Sequence, residues 1–293
     1  MGEPSRRGLT LLELAIVLII LAALTTVAVR SLGPVADQAR YEKTQQTLIE
    51  IEQAILLRSI EPGGIVSYSG FVADMGRLPR RLDELWRRPQ SDDELFQVHD
   101  VDTGVTGGGN VRVVAGWKGP YLLLPPGMNP LDELKDGFGN GFIFTESESV
   151  VGHPLIRIES PGSGIGDLYD RLSSLPRGFE IEYQYRSTGD IEVFVRIPDG
   201  DPPVPDDHVI EARLFGPQDG RGERFAPVSL NRIDNRNFYG FFTDSFTAGP
   251  YKLWAFSHDV DDAAPTTAIR QTIKSQIMIV PGANTPKDLI LLP

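Results

Sequence analysis

From Leu9 to Val29 the chain carries a single charge, Glu13, and the run from Leu14 to Leu24 is wholly apolar. At about 1.5 Å per residue such a run covers most of the apolar thickness of a bilayer, so the pattern predicts a membrane helix. Arg6 and Arg7 stand just before it, which keeps that end cytoplasmic and sends everything after Arg30 across the membrane. A carboxylate inside an apolar run is costly without a partner, which makes Glu13 a candidate functional residue.

After Gly33-Pro34 the apolar positions change rhythm. Val35, Ala39, Leu48, Ile51, Ala54 and Ile55 recur among Asp37, Glu42, Lys43, Glu50 and Glu52, a spacing near 3.6 that predicts an amphipathic helix continuing the first. Together they form an expected spine over residues 9–62, about 75 Å long if helical from Leu9 to Ser59. A kink is expected at Gly33-Pro34 and an end at Glu61-Pro62-Gly63-Gly64. The Leu48–Leu57 face is expected to pack on the protein's own sheet, because a membrane-surface helix would carry Lys or Arg where this polar face is mostly acidic.

Beyond residue 60 the pattern becomes one of short β-rich runs between turns, and most of the 30 glycines and 23 prolines lie there. Tyr121–Leu124, Phe142–Glu146 and Leu155–Ser160 predict a small antiparallel sheet on the spine within residues 63–186. Seven further runs follow: Ile191–Ile197, His208–Phe215, Phe225–Leu230, Phe238–Thr243, Tyr251–Ser257, Gln271–Val280 and Asp288–Leu292. Their spacing predicts an immunoglobulin-like β-sandwich over residues 187–293, able to fold alone. Pro198–Asp207 reads as a stiff exposed loop.

The stretch Arg6-Arg7-Gly8-Leu9-Thr10-Leu11-Leu12-Glu13-Leu14 resembles the class III signal of type IV prepilins and pseudopilins. In that family a short basic leader ends in Gly before an apolar helix with Glu at its fifth position. Leu9 stands where the family more often has Phe or Met. The resemblance implies residues 1–8 as a leader cut after Gly8 by a prepilin peptidase, N-methylation of Leu9, and docking of Glu13 on the terminal amine of a neighbouring subunit. An ordinary signal peptide cut near Val27-Ala28, or a twin-arginine signal at Ser5-Arg6-Arg7, leaves Glu13 unexplained.

Four later pieces, in order, resemble the globular domain of major pseudopilins: Gly76-Arg77-Leu78-Pro79, Gly119-Pro120-Tyr121, Asp136-Gly137-Phe138-Gly139-Asn140, and the strand ending at Ser160-Pro161-Gly162. The implied fold class is α+β, a pilin fold with a long N-terminal hydrophobic spine helix and small antiparallel sheet, followed by the immunoglobulin-like all-β sandwich. The implied partners are other pilin-like subunits, the peptidase and an inner-membrane assembly platform. The implied location is the bacterial inner membrane, single-pass before assembly with the soluble part periplasmic, and then a filament in the periplasm or at the cell surface.

Charge and candidate chemistry narrow the function. A net charge of −12 with no basic run beyond arginine pairs argues against a nucleic-acid partner. The absence of cysteine removes disulfide and thiolate chemistry. The four histidines sit in unrelated turns and no nucleophile or phosphate-cradling motif occurs, so no enzyme is expected. No cofactor is expected either. Family members often bind calcium after the last strand, where this chain offers Asp167 and Asp170; Asp100 and Asp102 begin a calcium-like loop that lacks a later bidentate Glu. Two readings remain: a structural subunit of a type IV pilus-like or type II secretion filament, or a single-pass membrane-anchored binding protein displaying the β-sandwich.

Overall fold

The computed structural model describes residues 11–60, 66–129, 133–148, 154–162, 178–182, 191–198, 201–242, 246–259, 270–272, 275–279 and 287–292. Helix α1 (Leu11–Ile55) comes first, with side chains described over 11–26 and 35–55. In the second stretch one face is buried, with Leu48, Ile51, Ala54 and Ile55 at 5% exposure or less. On its solvent side Gln38 donates to Glu42 at 2.8 Å and Gln46 to Glu50 at 2.9 Å, pairs that stabilise a helix surface by a few tenths of a kcal/mol. In the first stretch no face is buried.

Strands β1 (Leu57–Ile60) and β2 (Val66–Ser69) form a hairpin after the helix. A short helix α2 (Phe71–Met75) is closed by Gly76 at φ 66°, whose N–H returns to the Val72 carbonyl. Only glycine fits there, because the left-handed backbone disfavours a side chain and a Cβ would run into the Pro217 carbonyl. Leu48, Ile51 and Ile55 of α1 pack with Phe71, Met75, Leu85, Trp86, Leu122, Leu134 and Ile158 as one core. Strands β3 (Gln97–Asp102) and β4 (Asn110–Ala115) make a second hairpin. Strands β5 (Ile143–Glu148), β6 (Pro154–Glu159) and β7 (Gly178–Glu182) make a three-stranded antiparallel sheet.

The remaining strands are β8 (Ile191–Arg196), β9 (His208–Gln218), β10 (Arg221–Arg224), β11 (Val228–Ser229), β12 (Asn231–Arg232), β13 (Asn237–Phe242), β14 (Gly249–Asp259), β15 (Arg270–Thr272), β16 (Ser275–Ile279) and β17 (Lys287–Leu292). At their centre β9 and β14 pair antiparallel from Lys252↔Phe215 to Asp259↔His208. Alternation along a strand sends neighbours to opposite faces, and both faces of this ribbon are covered. Ala212, Leu214, Leu253 and Ala255 join Val193, Val195, Phe238 and Phe242 in one core. On the other face Phe215, Trp254 and Phe256 pack with Val105, Val111 and Val113 of the β3–β4 hairpin. This second cluster bridges the expected boundary between residues 186 and 187.

The expected fold class, an α+β pilin fold on a long hydrophobic spine helix followed by an immunoglobulin-like sandwich, is overturned. Along α1 the described side chains fall into two unlike stretches, 11–26 and 35–55, and no sheet packs on the bare first one. Strands β1 to β7 form two hairpins and a three-stranded antiparallel sheet instead of one sheet on a spine. Tyr121–Leu124 is not a strand, because the Tyr121 and Leu122 N–H groups both donate to the Leu85 carbonyl, at 2.7 and 3.1 Å. The last ten strands are hydrogen-bonded as one sheet, in the order β10-β9-β14-β15-β17-β8-β13-β12, with β11 on β9 and β16 on β14. Two separate sheets are not formed because β15 pairs with both β14 and β17, while β17 runs parallel to β8.

Candidate functional site

The N-terminal stretch of α1 stands apart from the rest of the chain. Leu11, Leu12, Leu14, Ile16, Val17, Leu18, Ile19, Ile20, Leu21 and Leu24 are each between 49% and 90% exposed. These positions run around the whole circumference of a 3.6-residue helix, so the stretch is bare on every side. Hiding ten such side chains from water is worth on the order of 10–20 kcal/mol. The Thr25 and Thr26 hydroxyls donate back to the Leu21 and Ala22 carbonyls at 2.7 and 2.8 Å, which satisfies them without water. Glu13 lies exposed in the first turn, where a carboxylate is favoured by the helix dipole. Among the described residues no helix is long and apolar enough to cross a membrane.

Gly8 and Leu9, the expected cleavage and methylation positions, lie outside the described residues, as do Asp167 and Asp170. Asp100 and Asp102 are exposed on β3, far along the chain from Glu13. Asp100 faces Arg112 across the hairpin at 3.7 Å. Asp102 accepts from the Gly104 N–H at 2.9 Å, which makes it the start of a tight turn. Among the described residues no three metal-ligating side chains come together.

The Asp136 carboxylate, a turn residue by its sequence, is the centre of a buried network. Asp136, 2% exposed, accepts on Oδ1 from the Phe138 and Asn140 N–H groups at 2.9 and 2.8 Å. Its Oδ2 accepts from the Ser160 hydroxyl at 2.6 Å, and the Asn140 amide donates to the Gly162 carbonyl at 2.5 Å. The Gly137 N–H donates to the Thr44 hydroxyl of α1 at 2.9 Å, and a Cβ on Gly137 would strike the Arg40 carbonyl. The Asp-Gly-Phe-Gly-Asn segment therefore ties the loop before β5 and the end of β6 to α1.

A second buried group was not read from the sequence. Arg213 lies 3.8 Å from Glu211, with its guanidinium 5.0 Å from the Phe256 ring, and it donates to the Thr103 carbonyl. Burial, and then the nearby Arg224, push its pKa down from the ordinary value. His258, 4% exposed, sits 3.5 Å from the same glutamate. The visible signal was the charged alternate set Glu211 and Arg213 between Ile210, Ala212 and Leu214, which suggests a solvated face until the β3–β4 hairpin is laid over it. Near α2, Tyr121 donates to Asp74 at 3.1 Å and accepts from the Lys118 N–H at 2.9 Å. Burial raises the Asp74 pKa above 3.8, opposed by the Tyr121 hydrogen bond and by Lys118. Burial and the Asp74 charge also push the Tyr121 phenol up.

Compared with known protein families, curated proteins and solved structures, the chain matches none.

Proposed function

We propose that the chain is a non-enzymatic structural subunit of a type IV pilus-like or type II secretion filament. It is made as a bacterial inner-membrane precursor, cut after Gly8 by a prepilin peptidase and N-methylated at Leu9. An assembly platform then adds it to other pilin-like subunits, in the periplasm or at the cell surface. The observation that carries the reading is the bare apolar stretch of α1 with Glu13 in its first turn. Such a stretch needs an apolar surrounding, which a bilayer supplies before assembly and the helices of neighbouring subunits supply afterwards. The order of Arg6, Arg7, Gly8 and Glu13 supports the leader and the docking role, through their resemblance to the class III signal.

The deciding experiment is the mass of the mature N-terminal peptide from the membrane and sheared-filament fractions. A peptide beginning with methylated Leu9 is expected. A start after Ala28 would overturn the reading. An intact leader would favour a membrane-anchored binding protein instead. Normal-sized mature product from Gly8→Val would also count against cleavage at this site.

A further inference from the structure

Helix α2 lies between the two parts of the fold and is held by both. Four of its five residues, Phe71, Val72, Ala73 and Met75, are buried. Phe71, Val72 and Met75 belong to the core that contains Leu48, Ile51 and Ile55 of α1. The end of the helix meets the turn between β9 and β10. The Gly220 N–H of that turn donates to the Met75 carbonyl at 2.8 Å, and a Cβ on Gly76 would strike the Pro217 carbonyl just before it. Gly249, the first residue of β14, lies so close that a Cβ there would stand 3.1 Å from the Ala73 Cα. Charged groups brace the same junction. Asp219 turns the chain at φ 49° and faces Arg80 at 3.3 Å and Arg77 at 3.7 Å. Arg221 reaches Asp93 at 2.8 Å. Further along, Arg224 donates to the Asp102 carbonyl at 3.2 Å and Arg213 to the Thr103 carbonyl, which fastens the end of β3 to the same sheet.

From this geometry we propose that α2 and the β9–β10 turn form a rigid coupling, which makes the ten-stranded sheet and the buried part of α1 one body. A load or a partner on the sheet then acts on α1 directly, with no hinge to absorb it. Parts of a chain that share only a small polar contact move against each other by default. Here backbone meets backbone at Gly76, Gly220 and Gly249, and close-packed contacts of that kind transmit a displacement. The Phe215, Trp254 and Phe256 cluster closes a second side of the junction on the β3–β4 hairpin, so rotation about α2 alone would break it. The exposed ion pairs add little energy singly; their contribution is to hold the register of two backbones that already touch. The coupling does not depend on the filament reading, because it fixes the sheet on the helix in a membrane-anchored binding protein as well.

The chain has no cysteine, so two engineered ones can be labelled without background. Spin labels on Gln53→Cys of α1 and Asn231→Cys of β12, both exposed positions, report the distance between the two parts by double electron–electron resonance on the full chain in detergent micelles. One narrow distance is expected in this doubly labelled parent. Adding Gly76→Ala, which pushes a side chain at the Pro217 carbonyl, is expected to cost that single peak, which broadens or splits while circular dichroism keeps its strand signal. If that variant does not fold, Gly249→Val, which drives a side chain between β14 and Ala73, replaces it with the same expected loss. A broad or double distance in the parent would overturn the proposal whatever the variants do, because it shows the two parts moving. A parent-like narrow peak in a folded variant would overturn it as well, because the coupling then lies elsewhere.

Discussion

Replacing Asp136 by alanine removes the acceptor for three donors in a site that water does not reach. The Phe138 N–H, the Asn140 N–H and the Ser160 hydroxyl all lose their partner. A hydrogen bond to a charged group contributes about 1.5–3 kcal/mol, and an orphaned buried donor costs about 1–3 kcal/mol. Because the donors belong to one network, their losses do not add, and the expected destabilisation is about 3–5 kcal/mol. Urea unfolding of the full chain in micelles, followed by circular dichroism, reads this as a lower midpoint at unchanged slope. Amide exchange at Gly137, Phe138 and Asn140 should quicken in the folded state, because the segment lets go of Thr44. Asp136→Asn keeps an acceptor for the two N–H groups and should cost less than half as much. Destabilisation below about 1 kcal/mol with exchange unchanged would refute the idea that this carboxylate ties the loop before β5 to α1.

Trp254 on β14 is fully buried against the β3–β4 hairpin, so Trp254→Ala should cost about 3–5 kcal/mol in the same unfolding assay. A chain of residues 187–293 alone would expose Phe215, Trp254 and Phe256, and is expected to aggregate or bind a hydrophobic dye where the full chain does not. Burial favours protonated Asp74, so the native state holds more protons than the unfolded chain from pH 3.8 up to the raised native value. Stability should therefore fall as pH rises through that window, and Asp74→Asn should remove this slope from a pH series of melts. Glu13→Val should still insert and be cut after Gly8, yet enter sheared filaments poorly beside wild-type subunits, with Glu13→Asp milder. Wild-type recovery of Glu13→Val in filaments would count against docking through this carboxylate.

How much was legible in the sequence depended on where each residue finds its partners. The Leu48, Ile51, Ala54, Ile55 stripe was readable because helical periodicity reports one-sided burial directly, and those four side chains are buried. The alternation at Ile191, Val193 and Val195 was readable for the same reason, with a period of two. Asp100 and Asp102 suggested the start of a calcium-like loop, because carboxylates alternating ahead of a glycine are how such a loop begins. They lie on β3, whose hairpin closes on Phe215, Trp254 and Phe256, more than a hundred residues later. Tyr121–Leu124 was apolar enough to suggest a strand, but the Leu85 carbonyl had taken its N–H groups. Asp136 was legible as a turn residue; the Ser160 hydroxyl that completes its site lies 24 residues on, beyond any local pattern.

The same distinction applies to the candidate sites. Glu13 was legible because an isolated charge in an apolar run stands out without any knowledge of the fold. Its meaning depends on a surrounding that the chain alone does not supply: ten large apolar side chains lie open around it, on an otherwise acidic protein of −12 net charge. Bodies of like charge repel one another, so in the proposed filament neighbouring subunits must gain more from packing their helices than they lose between their folded parts. On the proposed reading those side chains leave a bilayer and not water, so the roughly 10–20 kcal/mol holds the stretch in apolar surroundings throughout, and the gain between subunits has to come from helix packing and polar contacts. In the proposed filament, helix packing and the Glu13 contact would hold subunits together against that repulsion, while the folded body would set their spacing.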